Sequence, residues 1–189
     1  KIKDSPITGV HFWFDREVTT EPFITLLDTT VQWVFNKTVL FGPASLSSKN
    51  GDSKTAAAKQ YLQLVISASY DLLQKPRQEI IDLCLKEVRQ ALPAARDANL
   101  VKATVIKEAA ATFSPQPGVD RWRPKQETAV NKLFLAGDWT ATGWPATMEG
   151  AVRSGYLAAE AVTRAAGQPQ QFLQPDLGAN GLVSLWAKK

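Results

Sequence analysis

A single carboxylate, Asp138, closes the short apolar run 133–136 directly after Gly137, and a loop of small residues with Trp144 and Pro145 follows it. From about Ala146 the spacing turns helical. Gly150, Ser154 and Ala158 fall on one line of that helix, and Ala151, Gly155 and Ala159 lie beside them. A run of this kind reads as a buried strand ending in a carboxylate. Strand, tight turn and a helix with unfilled first-turn N–H groups together suit an electron-rich or anionic group at the positive end of the helix dipole. Asp138 repels phosphate, but its oxygens accept hydrogen bonds from sugar-type hydroxyls, so the corner suggests a ligand with a polyol and an acceptor-rich ring. Gly-Asp also fits a plain Asx turn, and small residues on a helix also fit close packing, so pattern alone leaves both readings open.

Other chemistry is scarce. His11 is the only histidine and Cys84 the only cysteine, which makes a zinc site or a Cys-His dyad untenable and excludes an intrachain disulfide. His11 stands four residues before Asp15 on one face of an alternating run. The two could form a catalytic pair; a hydrogen-bonded structural histidine on a strand is the commoner arrangement. No general acid, general base or nucleophile emerges from spacing, so catalytic residues remain unassigned, and no metal ligands are identified.

The stretch Leu135-Ala136-Gly137-Asp138-Trp139, then Gly143-Trp144-Pro145-Ala146-Thr147-Met148-Glu149-Gly150-Ala151 and Ser154-Gly155, resembles the carboxy-terminal FAD-binding signature of the flavin amine oxidase and phytoene desaturase superfamily. Within it the likeness is greatest to squalene-associated FAD-dependent desaturases, the hydroxysqualene dehydroxylases. Similar segments lie upstream at 6–15, 26–28, 31–36 and 123–128, so the resemblance covers most of the chain. It implies that Asp138 bonds the ribityl chain or adjoining phosphate of FAD and that Gly137 lets the backbone approach. It places Thr147 and Met148 where main-chain N–H groups meet the pyrimidine edge of the isoalloxazine, with Trp144, Pro145 and Ala146 around the ring and Gly150 in the same helix start. In amine-oxidising relatives an aromatic residue, usually Tyr, precedes Met-Glu-Gly; here that place is Thr147, which favours an apolar substrate over an amine.

Such enzymes open on a Rossmann unit whose G-x-G-x-x-G turn holds the pyrophosphate. None of the eleven glycines makes that pattern. The expectation is therefore a carboxy-terminal part of a longer flavoprotein, with FAD bound weakly or not at all by this chain alone, or a half-protein needing a separate Rossmann half.

The elements that must position these residues follow from periodicity. Ile7 to Asp15 alternates with His11, Trp13 and Asp15 on one side and Val10, Phe12 and Phe14 on the other. Residues 23–27, an Asp28-Thr29-Thr30 turn and 31–36 predict a hairpin, and Trp13, Trp33 and Phe35 give the sheet an aromatic face. Those aromatics suit either a core or the wall of an apolar cavity for an isoprenoid. Residues 37–55 read as a loop, and 60–69 as a strand in competition with a helix. Pro76 opens a helix to about Leu92, burying Ile80, Ile81, Cys84, Leu85, Val88 and Leu92, and Pro93 ends it. On that helix Cys84 is a packed small hydrophobe. Residues 100–113 predict another strand, broken at 114–118. Arg121 and Arg123 flank Trp122 in the return connection, where they could meet a flavin or an acidic partner, or be solvated loop charges.

At 189 residues, 44% hydrophobic and 21% charged, the chain can bury a core. Its net charge of +4 comes from dispersed Lys and Arg with no basic run, which gives nucleic-acid binding little support and leaves a basic face toward an anionic membrane open. No run approaches a membrane span. The expected class is α+β (α/β): residues 1–115 a partial substrate domain with a mixed sheet and helices, 116–167 the last strand and helix of a Rossmann-like FAD-binding domain, and 168–189 a tail. The expected function is FAD-dependent oxidation or dehydroxylation of a squalene- or carotenoid-type isoprenoid lipid, with flavin amine oxidation as the alternative. The chain is expected in the cytoplasm. The apolar end 181–189 with two lysines leaves peripheral membrane contact open beside packing on its own protein.

Overall fold

Strict alternation along the first strand decides the architecture of the amino-terminal part. A computed structural model of the chain describes residues 2–46 and 57–176. These divide into two compact units, Lys3–Ser114 and the segment from Pro115 onward with Ile2.

In the first unit, β1 (Asp4–Phe14), β2 (Phe23–Thr25), β3 (Trp33–Asn36), β4 (Gln60–Ser67) and β5 (Leu100–Phe113) form one sheet in the order β2-β3-β4-β1-β5. The sheet and helices expected of this segment are present, but every strand pairing is antiparallel, so the sheet is not mixed in direction. The reason is topological: a parallel pair needs a crossover, and β1 instead receives β4 and β5 on its two edges, each running the opposite way. Pro6 interrupts neither ladder, because the β1–β5 register shifts between Ser5 and Ile7 and a bulge tolerates the missing N–H.

One face of the sheet carries Val10, Phe12, Phe14, Val34, Leu62, Leu64, Ile66 and Val105, and α2 (Arg77–Ala91) covers it through Ile80, Cys84 and Val88. Each of these buried side chains contributes about 1.5–3 kcal/mol relative to exposure. The 60–69 stretch resolves as strand because its alternate residues Leu62, Leu64 and Ile66 all reach this core. Ile81, Leu85 and Leu92 pack only partly against it.

Buried polar side chains tie the loops down. Gln60 Oε1 accepts from the N–H of Val18 at 2.7 Å and its Nε2 donates to Thr19 O at 2.7 Å. Asn36 Nδ2 donates to the same carbonyl at 3.0 Å, while its Oδ1 accepts from Val39 N–H at 3.2 Å. That second bond caps α1 (Lys37–Phe41), a short helix followed by a 3-10 turn at Pro43–Leu46 where a loop was expected from 37 to 55. A capping Asn ahead of β-prone residues was the signal. Residues 47–56 of that loop lie outside the described ones. Glu87 of α2 accepts from the N–H groups of Thr30 and Val31 at 2.9 and 2.8 Å, which anchors the β2–β3 turn, with Asp28 at φ 58° inside it.

Burial pushes the Cys84 thiol up to about 12, with the Glu87 carboxylate adding to the shift. The thiol is therefore protonated and enclosed at neutral pH. Iodoacetamide at pH 8 is expected to leave Cys84 unmodified in the native chain and to alkylate it fully in denaturant; rapid native labelling, read by intact mass, would contradict the packing.

Candidate functional site

The residues singled out around Asp138 lie in the second unit, in a corner made of a coil, a tight turn and α3 (Met148–Ala165). The helix expected from about Ala146 to Gly167 is therefore present. The buried strand expected at 133–136 is not. Phe134 makes one isolated antiparallel bridge with Glu127, and Leu133 is 47% exposed. A strand needs partners for its N–H and C=O groups, and the described residues supply only a short stretch of coil beside it. That coil donates and accepts sparingly: Leu135 N–H to Gln126 O at 2.9 Å and Ala141 N–H to Pro124 O at 2.8 Å.

Side chains hold the turn instead. Thr140 closes it, its N–H at 3.0 Å and its hydroxyl at 2.8 Å both donating to Gly137 O. Gly137 has φ 144°, and a Cβ there would fall on the Trp139 indole, so the position is restricted to glycine. Its N–H donates to Ser154 Oγ of α3 at 2.8 Å, and that hydroxyl donates on to Ala151 O at 2.6 Å. From the other side the buried Arg123 guanidinium donates through Nη2 to Asp138 O at 2.8 Å and to Thr142 Oγ1 at 3.2 Å, with Nη1 on Asp120 at 3.0 Å. Gln126 Nε2 adds a bond to Thr140 Oγ1 at 2.9 Å. Asp138 itself is half-buried.

The start of α3 is shaped by two contacts. Thr147 is the N-cap, its Oγ1 accepting from Gly150 N–H at 3.1 Å. A Cβ on Gly150 would lie 2.5 Å from Pro145 O, so the loop backbone rests directly on the helix. Thr147 Oγ1 serves Gly150, and Met148 and Glu149 stand at the first two positions of α3, whose N–H groups have no partner within the helix. The Met148 side chain is 88% exposed. Of the two stripes of small residues, Gly150, Ser154 and half-buried Ala158 face the protein, whereas Ala151 and Gly155 are exposed.

Trp144 is half-buried against Arg153, whose guanidinium carbon lies 5.7 Å from the ring centroid. Asp176 accepts from Trp144 Nε1 at 3.2 Å and pairs with Arg153 Nη1 at 2.9 Å, with Glu149 at 3.6 Å. Pro145 is exposed and Ala146 half-buried beside them. Residues 168–176 form neither helix nor strand. Glu160 accepts from the N–H groups of Phe172 and Leu173 at 2.8 Å, and these bonds hold its carboxyl below the usual range. The apolar terminus 181–189 lies outside the described residues.

Sequence reasoning did not find the contacts of four residues that shape this corner. Arg123 stood open between a flavin or acidic partner and a solvated loop charge, Gln126 and Ser154 were marked by the family resemblance without a role, and Arg153 was given none. An arginine beside proline and a serine at helical spacing from glycines were the only signals. Arg121, by contrast, is an exposed charge stacked 5.3 Å over Trp122.

In the first unit, the sheet face opposite α2 carries the expected aromatics. Trp33 stacks on Phe35 at 5.8 Å with Phe23 beyond, and Trp13 stacks on Tyr61 at 4.5 Å and 6°. His11 does not pair with Asp15. Its Nδ1 lies 2.7 Å from Tyr61 Oη, while Asp15 is held by Arg16 and Asn99, which keep its carboxyl well below the ordinary range. Burial and then the Lys37 charge lower the His11 pKa, and burial raises that of Tyr61, so both are neutral at pH 7.

The second unit thus holds a turn clamped onto a helix start, and the first an antiparallel sheet with one aromatic face. Residues 5–163 match the family described as flavin containing amine oxidoreductase, and the chain belongs to that family. It is 34% identical over 154 residues to the hydroxysqualene dehydroxylase of Sinorhizobium fredii, a match covering 82% of this chain and 31% of that one. It is 30% identical over 175 residues to the 15-cis-phytoene desaturase of Solanum lycopersicum, covering 87% and 28%. Among solved structures it resembles a reduced UDP-galactopyranose mutase, with a TM-score of 0.56 at 13% identity over 88% of this chain and 34% of that one. An oxidoreductase from Methanosarcina mazei gives 0.51 at 13% identity over 87% and 35%. At those identities the likeness is one of fold. The chain thus spans 31% and 28% of the length of these two curated relatives.

The donor set at the start of α3, first-turn N–H groups at the positive end of the helix, is chemically compatible with the acceptor edge of a flavin ring. The close approaches at Gly137 and Gly150 are to Trp139 and Pro145 of the chain itself.

The two glycines of α3 should separate by sign. Gly155→Ala, where nothing lies within 4 Å of the new methyl, is expected to stabilise the second unit by about 0.5–1 kcal/mol. Gly150→Ala is expected to destabilise it by about 1–3 kcal/mol, because the methyl meets backbone that cannot swing aside. Urea unfolding followed by the signal of Trp144 would show both changes, and a stabilised Gly150→Ala would refute the close approach.

Proposed function

We propose that this chain provides the flavin-ring side and the substrate sheet of an FAD-dependent oxidoreductase acting on an isoprenoid lipid of squalene or carotenoid type. On this reading the segment 116–167 is the carboxy-terminal part of the FAD-binding domain, and 1–115 is part of the substrate domain. The observation that carries it is the clamped corner from Gly137 to Gly150, in a chain that belongs to a flavin-containing family.

FAD, when bound, supplies the centre that exchanges a hydride with a substrate carbon. The chain's own residues hold and orient. Met148 and Glu149 N–H groups, aided by the dipole of α3, face the acceptor edge of the ring and favour negative charge on it. Asp138 accepts from polyol hydroxyls of the cofactor. Trp144, Pro145 and Ala146 exclude water around the ring, and Thr147 fixes the helix start. The aromatic face formed by Phe23, Trp33, Phe35, Trp13 and Tyr61 presents flat apolar surface to a long lipid. Support for that substrate class comes from the names of the relatives, a dehydroxylase of hydroxysqualene and a desaturase of phytoene.

A second reading, amine oxidation, rests on the family description. Against it stands Thr147, whose hydroxyl is committed to capping α3 where an aromatic side chain would be needed to cage an amine.

No G-x-G-x-x-G turn is encoded in the chain, so its grip on the pyrophosphate is missing. Titrated with FAD at micromolar protein, the chain alone is expected to form no stoichiometric yellow complex. Addition of the amino-terminal segment of a relative carrying that turn is expected to produce flavin absorbance that co-elutes on gel filtration, lost in Gly150→Val. Tight, stoichiometric FAD binding by the unaided chain would overturn this division of labour.

A further inference from the structure

The aromatic face of the sheet is interrupted by a small polar island. Strand register sets His11 opposite Gln63 and Trp13 opposite Tyr61, while Phe35 lies on the other side of Gln63. His11 Nδ1 and Tyr61 Oη are 2.7 Å apart, and the His11 ring leans back so that Nε2 comes within 3.5 Å of where a Gly9 side chain would begin. All three polar residues are half-buried. Among the described residues, neither His11 nor Tyr61 makes a second side-chain hydrogen bond, and the Gln63 amide makes none.

Both rings are neutral, so the pair always keeps one donor in reserve. If Tyr61 O–H donates to Nδ1, the imidazole proton sits on Nε2; if Nδ1–H donates to Tyr61 Oη, the phenol proton is free. Covering this face with a pure hydrocarbon would take that donor and the Gln63 amide out of water with nothing to pair with. Desolvating such groups without partners costs far more than a matched hydrogen bond returns. A ligand with an oxygen at this point avoids the penalty, and one hydroxyl can accept from the pair while donating to Gln63 O.

We propose that His11, Tyr61 and Gln63 form a hydroxyl-recognition subsite on the aromatic face, so that an isoprenoid alcohol is held there in preference to the matching hydrocarbon. The inference rests on the reading of this face as the lipid-binding one, and it adds what selects among lipids. The three residues bind; they are not assigned a step in the chemistry. A site built around a hydroxyl discriminates strongly against the analogue lacking it, because the mismatch strands the protein's own polar atoms.

The test compares farnesol with β-farnesene, each delivered from cyclodextrin to the intact chain and followed by quenching of tryptophan fluorescence. The native chain is expected to bind the alcohol about tenfold more tightly than the hydrocarbon. Tyr61→Phe keeps the stack on Trp13 and removes only the hydroxyl, and His11→Phe removes the ring nitrogens. Each is expected to bring the ratio close to one by weakening the alcohol and leaving or improving the hydrocarbon, with unchanged far-ultraviolet dichroism. Equal binding of both probes by the native chain, or a preference that survives in both variants, overturns the subsite while leaving the lipid face intact. Failure of the native chain to quench with either probe overturns the lipid face and the subsite with it.

Discussion

The second unit depends on one constraint: an irregular loop pressed against a helix must have its backbone polar groups satisfied by side chains, because among the described residues no sheet is there to do it. Between Gly137 and Thr142 the bonds come from Arg123, Gln126, Thr140 and Ser154. Each of these also fixes distance. The Ser154 hydroxyl spans only from Gly137 N–H to its own helix, so loop and helix meet at backbone range, and Gly150 allows Pro145 O to do the same one turn earlier. The start of α3 is thereby fixed against the loop at two points one turn apart.

In the first unit the governing fact is the period of two. One strand can give aliphatic residues to the α2 side and aromatic ones to the other without conflict, as β1 does with Val10, Phe12 and Phe14 against His11 and Trp13. The aliphatic side supplies the stability. The aromatic side carries rings stacked on one another, Trp13 on Tyr61 and Trp33 on Phe35.

Much of this was legible because periodicity is a strong signal where one face is buried. The alternation of β1, the hairpin of β2 and β3, the helix from Arg77 and the long β5 all follow from residue spacing. The small-residue line Gly150, Ser154, Ala158 announced a close approach. What it could not show was the partner, since a serine that caps a turn and a serine that merely fits look alike in sequence. The run 133–136 failed as a strand for a non-local reason: apolar residues propose a strand, but a neighbour must accept it, and only Glu127 does. The 37–41 stretch failed the other way. Thr38, Val39 and Phe41 favour strand, yet Asn36 caps their first turn and Thr38 Oγ1 takes the Tyr61 N–H, which turns the chain away from the ladder.

Part of the positive charge of the chain belongs to the same logic. Arg123 donates to the Asp138 carbonyl, Arg89 to those of Ala95 and Ala98, and Lys107 to those of Leu73 and Lys75, all at places where a helix or turn leaves acceptors unfilled. Arg153 is buried beside Trp144 and pairs there with Asp176 and Glu149. A guanidinium can reach two or three carbonyls from one side with a planar fan of donors, which neutral side chains of similar length cannot do. Several of the chain's basic side chains therefore have a structural task, filling carbonyls that helices and turns leave open.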